Sequence, residues 1–257
     1  MTTLLDDILA TPQPWSQQPI AEWRDMFPAQ HGASLDDFVV RECRRRDAHM
    51  DMRNVVGQTA HYAGQSWRDA VLEPQYRPGK MRDVFARYER NPGYYFNGEL
   101  DNGILLGSID GEHWYTDGGG NHRTVVAKFA CDRIARRTGH YPLVRGVSTS
   151  HYQPDMQAWY LFCQLRQRHA DLIQLSVTRE GGERTVVAGA MEITWHLRFF
   201  VQDGRFGGIA RAEHLDAARF CAYARHVLAH GGKPSWRDRV LHRLVGDRDR
   251  LVYRSLA

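Results

Sequence analysis

Residues 114–124 read Trp114-Tyr115-Thr116-Asp117-Gly118-Gly119-Gly120-Asn121-His122-Arg123-Thr124, and this stretch decides how the whole chain is read. Its aromatic and β-branched opening suits a strand. Three glycines then free the backbone for a tight turn and for close approach of another group. Beyond them Val125, Val126, Phe129, Ala130 and Ile134 recur at helical spacing. The helix they predict stops at Thr138-Gly139, a C-cap signal, with Pro142 just beyond. Strand, glycine turn and helix together place unpaired N–H groups and the positive end of a helix dipole over the turn, where an anion is favoured. His122 and Arg123 are cations in the first helical turn, which costs the helix energy unless an anion is bound there; Arg grips phosphate through two donors. Asn121 serves as N-cap or reaches a ligand, and Thr124 brings a hydroxyl to the same place. The segment is not a Walker loop, because no Gly-Lys-Ser/Thr follows. It is not a dinucleotide fingerprint either, because Arg123 stands where the third glycine belongs.

Working upstream, Gly103 to Ile109 reads as a strand joined by an Asp110-Gly111 hairpin turn to a second strand at His113 to Thr116. The first ~75 residues read as helical and irregular. Leu4 to Leu9 is a short helix broken by Pro12, Pro14 and Pro19, and Ala21 to Phe27 supplies another turn or two. Ser34 is a good N-cap, and Leu35, Phe38, Val39 and Cys43 predict a helix from about Leu35 to Met50. The basic run Arg44–Arg46 lies on that helix beside Glu42 and Asp47 and reads as surface. A helix from about Met81 to Arg90 stops at Asn91-Pro92-Gly93.

Downstream, Leu143 to Ser148 reads as a strand and Asp155 to Arg168 as a helix. Leu172 to Thr178 and Thr185 to Ala190 flank a turn at Gly181-Gly182; Glu192 to Val201 and Arg205 to Ala212 flank Asp203-Gly204. Helices from about Glu213 to His230 and from Trp236 to Leu244 close the chain. The sum is α+β: a helical N-terminal region over residues 1–92, then a mixed domain with C-terminal antiparallel hairpins over 93–257, packed as one unit.

Composition narrows the class. With 257 residues, 42% hydrophobic and 25% charged, the chain is neither disordered nor fibrous. No stretch approaches the ~20 apolar residues of a membrane-spanning helix, so no membrane insertion is expected. The first fifteen residues lack a basic n-region and carry Asp6 and Asp7, which does not suit a signal peptide. Four cysteines, Cys43, Cys131, Cys163 and Cys221, form no CxxC pair, and reduced thiols in a cytoplasm are the expectation. Residues 201–257 hold 11 basic and 6 acidic side chains, an excess suited either to a solvated face or to a polyanion.

The run Trp114 to Arg123, followed by Val126-Ala127, resembles the signature of the ParB/sulfiredoxin superfamily: a strand, Asp-Gly, a short spacer and His-Arg, opening a helix with a small residue four positions on. The likeness covers about residues 95–140, and the spacer holds one extra glycine. It implies a ParB/sulfiredoxin-like mixed core, with nucleotide phosphates on Gly118, Gly119, Gly120, Asn121 and Thr124. It also implies catalytic roles for Asp117, His122 and Arg123, with Glu112, Glu99 and Glu73 as further candidate acids. ATP or another nucleotide, with Mg²⁺, would be the cofactors. Sulfiredoxins carry a catalytic Cys directly before His-Arg, where this chain has Asn121, so sulfinic reduction is not implied. No helix-turn-helix follows the turn as it does in partition proteins. Among the relatives, plasmid fertility inhibitors fit best, which implies an ATPase or DNase acting against conjugative transfer. Two alternatives stand beside it. One is a catalytically idle protein of the same fold that blocks a conjugation or secretion component. The other is a nucleotide-gated DNA-binding adaptor.

Other constellations read as structural. His226 and His230 share a helix face but lack a third ligand, so no metal site is expected. Ser148, Ser150 and His151 lack a nucleophile elbow. His49 and Asp51 form a short polar cluster with no template. Tyr94-Tyr95-Phe96 suits a core or rim position, and Trp195, Leu197 and Phe199 alternate toward the core of a strand.

Overall fold

A computed structural model describes residues 2–59, 61–62, 64–97, 103–205, 211–230 and 236. In chain order its elements are α1 (Leu4–Ala10), β1 (Ala21–Glu22), α2 (Trp23–Met26), β2 (Ala29–Gln30), β3 (Ala33–Ser34), β4 (Val39–Met50) and β5 (Val55–Gln58). There follow α3 (Asp69–Leu72), α4 (Pro78–Arg90), β6 (Leu105–Ser108), β7 (Trp114–Thr116), α5 (Asn121–Thr138) and β8 (Val144–Pro154). The chain continues with α6 (Met156–His169), β9 (Ile173–Val187), β10 (Ala190–Asp203), β11 (Arg211–Asp216) and α7 (Ala217–Ala229). The protein is therefore mixed α+β. Among the described residues no helix is long and apolar enough to cross a membrane.

Two compact units emerge, each assembled from separated stretches. The first comprises Met1–Met26, Glu42–Tyr152 and Thr185–Glu192. Its strands lie in the order β1-β5-β7-β6-β8-β4. β1, β5 and β7 run parallel, β6 is antiparallel to β7, and β8 is parallel to β6. α5 is the central helix: Val125, Val126, Ala127, Ala130 and Cys131 are wholly buried against Leu106, Val55 and Val147. Gly139 ends it as expected, in the left-handed conformation (φ 75°), donating to the carbonyl of Ala135 at 2.8 Å.

A charge is also buried on α5. Lys128 Nζ donates to the carbonyls of Met52 (2.7 Å) and Val55 (2.8 Å) and lies over the rings of Trp67 and Trp15. Burial pulls its pKa down to about 8, against the nearby charge of Asp51.

The second unit comprises Phe27–Arg41, Gln153–Arg184 and Ile193–Ala257. β10 pairs with β9 and, antiparallel, with β11. Its core is aromatic: Phe199 stacks on Phe220 at 3.9 Å and 4°, with Phe38 and Phe162 packed around them.

Several sequence expectations give way. Residues 35–50 are not a helix. Ser34 does cap, accepting from the Asp36 N–H while the Asp37 carboxylate accepts from the Ser34 N–H, but it caps a 3-10 turn at Leu35–Phe38. That turn uses up Leu35 and Phe38, and β4 then buries Glu42 (2% exposed) where helical spacing expected Cys43 inside. Sheet pairing has overridden the local pattern. The N-terminal region is thus not simply helical, since β1, β4 and β5 are sheet strands. Ala21 to Phe27 divides into β1 and α2.

The expected turn at Gly181-Gly182 is likewise absent. β9 runs straight through both glycines at φ 90° and 103°, and the chain turns at Ala188-Gly189, where φ is 48° and 78°. A two-residue hairpin of type I′ needs both central residues left-handed, and Ala188 takes that conformation despite its Cβ. α7 starts at Ala217 rather than Glu213, because Glu213–Asp216 belong to β11 and the Asp216 carboxylate accepts from the Arg219 N–H at 2.9 Å. Residues 206–210 of the expected strand, and all but Trp236 of the expected final helix, lie outside the described residues. So do Gly98 and Glu99.

Candidate functional site

The turn forms where β7 ends. Asp117 donates its N–H to the Leu105 carbonyl at 2.8 Å, and Gly118 (φ 70°) and Gly120 (φ 86°) swing the chain into α5. Gly120 caps the helix with backbone alone, its carbonyl accepting from the Thr124 N–H at 2.7 Å. A Cβ on Gly120 would stand 2.8 Å from both Gly103 O and Ile104 Cα; one on Gly119 would stand 3.1 Å from Leu105 Cδ1. One on Gly118 would meet nothing within 4 Å. Gly119 and Gly120 therefore admit the chain entering β6, and Gly118 is the glycine whose outer side is open.

Toward the protein interior the turn is buried and polar. Asn121 is buried: its side-chain oxygen accepts from the Thr116 hydroxyl, and its carbonyl accepts from Gln58 Nε2 at 3.3 Å. Asn121 thus pins the helix to the ends of β5 and β7. His122 is 5% exposed, edge-on to Tyr62 at 5.4 Å and 6.3 Å from Tyr76, which stacks on His61 at 3.7 Å. Burial pushes the His122 imidazole below its ordinary pKa and the charges of Lys80 and His61 add to this, while the backbone of Tyr76 and Arg77 supports the protonated ring. His122 Nε2, Thr124 Oγ1 and Gln58 Oε1 are buried and have no hydrogen-bond partner among the described residues. Arg123 lies across Gly103, where an added Cβ would collide with Nη1 at 1.9 Å.

On the opposite sheet face the arrangement is open. Leu105 pairs with Ser148 and Gly107 with Ser150, so these residues share a face, and Trp23 and Tyr152 cover Gly107. The Tyr152 hydroxyl donates to Asp117 Oδ2 at 2.5 Å. Beside Asp117 a groove of about 760 Å³ runs over Leu105, Ser148 and Ser150, walled by Arg44, Arg45 and Arg46 of β4 and by Val186, Gly189 and Met191. Arg44 forks onto the buried Glu42, and that pairing, with Tyr152 and Asp117 farther out, raises its pKa.

Of the residues singled out from sequence, the structure brings Asp117, Gly118, Gly119, Gly120, Asn121, His122, Arg123 and Thr124 together. They divide among roles: Asn121 and Thr124 point inward, Asp117 faces the groove. Glu112 is exposed in the turn at the other end of β7, its N–H donating to Asp110 Oδ1, so the strand separates it from the glycines. Glu73 is exposed at the end of α3. Among the described residues no three metal-ligating side chains converge, and the turn's own carboxylate, Asp117, accepts from the Tyr152 hydroxyl.

The sequence reading missed Gln58, Tyr62, Tyr76, Tyr152 and the groove lining. The Arg44–Arg46 run was visible, but only its placement on a strand lays it beside Ser148 and Ser150.

No protein-family model, no curated protein and no solved structure matches the chain. The ParB/sulfiredoxin resemblance accordingly rests on the turn and its neighbours alone.

Proposed function

We propose that the protein binds the phosphate of a nucleotide or of DNA at the N-terminal end of α5. The observation that carries this reading is the set of buried polar atoms there that have no partner among the described residues: His122 Nε2, Thr124 Oγ1 and Gln58 Oε1. Buried polar groups are nearly always satisfied, so a cluster of orphans at a helix N-terminus marks a place for a ligand or ordered water. Two parallel strands, β5 and β7, end at the same place, the usual side for ligands in such sheets. Arg123 supplies a cation at the rim, and Gly118 leaves room beside it.

The ATPase or DNase activity, and a role against conjugative transfer, come from the resemblance. In that reading His122 and Arg123 stabilise charge growing on the phosphoryl oxygens, and Asp117 orients the attacking water once Tyr152 yields it. Turnover would place the protein among the enzymes of the superfamily. Binding without turnover would favour the interaction protein that uses the same fold to block a conjugation component.

Calorimetric titration with ATP, CTP, ADP and inorganic phosphate, followed by phosphate release and plasmid nicking in the presence of Mg²⁺, tests this directly. Arg123→Ala is expected to weaken nucleotide binding at least tenfold while the thermal melt stays cooperative. Nucleotide binding unchanged in Arg123→Ala and in His122→Ala would remove the phosphate role from the turn.

A further inference from the structure

The sheet face opposite α5 carries a groove walled by basic side chains, and what it binds does not depend on whether the glycine turn binds phosphate. β4 carries three consecutive arginines, all exposed, along one wall of the groove. They are not equivalent. Arg44 is neutralised by Glu42, which is buried and reached by two guanidinium nitrogens. Arg45 and Arg46 have no ion-pair partner among the described residues, so the wall carries a surplus of two fixed positive charges.

The floor adds hydroxyl groups at Ser148 and Ser150 and the half-exposed Leu105, and the facing wall adds Val186 (79% exposed) and Met191. One carboxylate, Asp117, closes the end, held by the Tyr152 hydroxyl at 2.5 Å. A volume of about 760 Å³ suits a nucleotide-sized occupant. Guanidinium groups recognise phosphate through paired donors, serine hydroxyls suit sugar or phosphate oxygens, and apolar side chains suit a base.

We propose that the groove between β4 and the 186–191 hairpin tip binds a phosphate-bearing ligand, either a free mononucleotide or one nucleotide step of a single nucleic-acid strand. Arg45 and Arg46 hold the phosphate, Ser148 and Ser150 face the sugar, and Leu105, Val186 and Met191 receive the base.

Fluorescence anisotropy on the full chain, with a labelled dodecamer of single-stranded DNA and separately with a fluorescent AMP, reads the binding. Arg45→Glu with Arg46→Glu is expected to weaken it at least tenfold. The wild-type affinity for the strand should fall with salt at a log–log slope of about −0.7 per phosphate contact, and the double variant should flatten it. Ser148→Ala, which keeps every charge, should weaken binding several-fold, and the loss caused by Arg45→Glu with Arg46→Glu should be as large in an Arg123→Ala background as in the wild type. Strand bound much tighter than AMP assigns the site to nucleic acid; equal affinity per phosphate assigns it to mononucleotides, and either supports the proposal. Wild-type affinity in the folded double variant, no binding of either probe, or equal displacement by a polyglutamate of matched charge would overturn it. Loss of strand binding in Arg123→Ala together with the double variant still binding would assign the phosphate to the turn instead.

Discussion

Two regions meet at Asp117, and the anion binding proposed for each would hold negative charge in opposite ways. On the α5 side, the elements are backbone amides, a helix dipole and buried side chains with unspent hydrogen bonds. On the β4 side, they are exposed guanidinium and hydroxyl groups in open solvent. The first is buried, and the binding proposed there depends on the protonation of His122. The second is solvent-exposed, with its guanidinium groups presented at the surface. Charge placement through backbone needs close packing and tolerates little change, whereas charge placement through side chains tolerates substitution one residue at a time.

The sharpest way to break this contrast is to put a methyl group into the turn. Gly120→Ala is expected to cost at least about 3 kcal/mol, because it combines a left-handed φ with a 2.8 Å contact to the backbone of Gly103 and Ile104. Gly118→Ala, left-handed but open, should cost about 1 kcal/mol. Chemical denaturation of both variants reads the difference. Equal losses would mean that the packing against residues 103–104 is not what the glycines serve.

The next effect separates the regions by pH. His122 is held below its ordinary pKa in the free protein, and an anion beside Nε2 favours the imidazolium. Binding at the turn therefore takes up a proton, and affinity there should fall by up to about tenfold per pH unit as pH rises from about 6 to 8. Sulfate is a suitable probe, because its own charge is fixed over that range. His61, Lys80 and Arg77 face the same place; His61 titrates in the same sense, so His61→Gln keeps the His122 contribution readable. Strand binding in the groove should stay flat over the same range. A flat profile at the turn and a sloping one in the groove would reverse the assignment.

The smallest effect concerns the residue they share. Tyr152→Phe removes the donor to Asp117 and should cost about 1 kcal/mol of stability, leaving sulfate affinity at the turn unchanged. A change at the turn would show that Asp117 couples the two sides.

How much of this could be read in the sequence depended on whether local signals agreed with the tertiary structure. α5 was legible from end to end because its apolar stripe, its glycine turn and its Gly139 cap all point the same way. The β6–β7 hairpin was legible from Asp110-Gly111, and α6 from Asp155, whose side chain accepts from the Ala158 N–H. β4 was not, since Ser34 caps a 3-10 turn as readily as a helix and the charged run Arg44 to Asp47 hides the apolar–polar alternation of a strand. The hairpin at Ala188-Gly189 was hidden by Gly181-Gly182, a stronger turn signal that β9 passes through beside Trp195. Of the candidate site, the contiguous half was visible. The half assembled from β4 and β8 was not, because nothing in residues 44–46 or 148–150 says that they will be neighbours.

The crossing of Arg123 over Gly103 has a consequence for how occupancy can be detected. The guanidinium roofs the backbone at the entrance to β6, so any guest that draws it aside uncovers those peptide groups to solvent. Deuterium uptake at Gly103 and Ile104 should then rise on saturation, while most of the molecule becomes better protected.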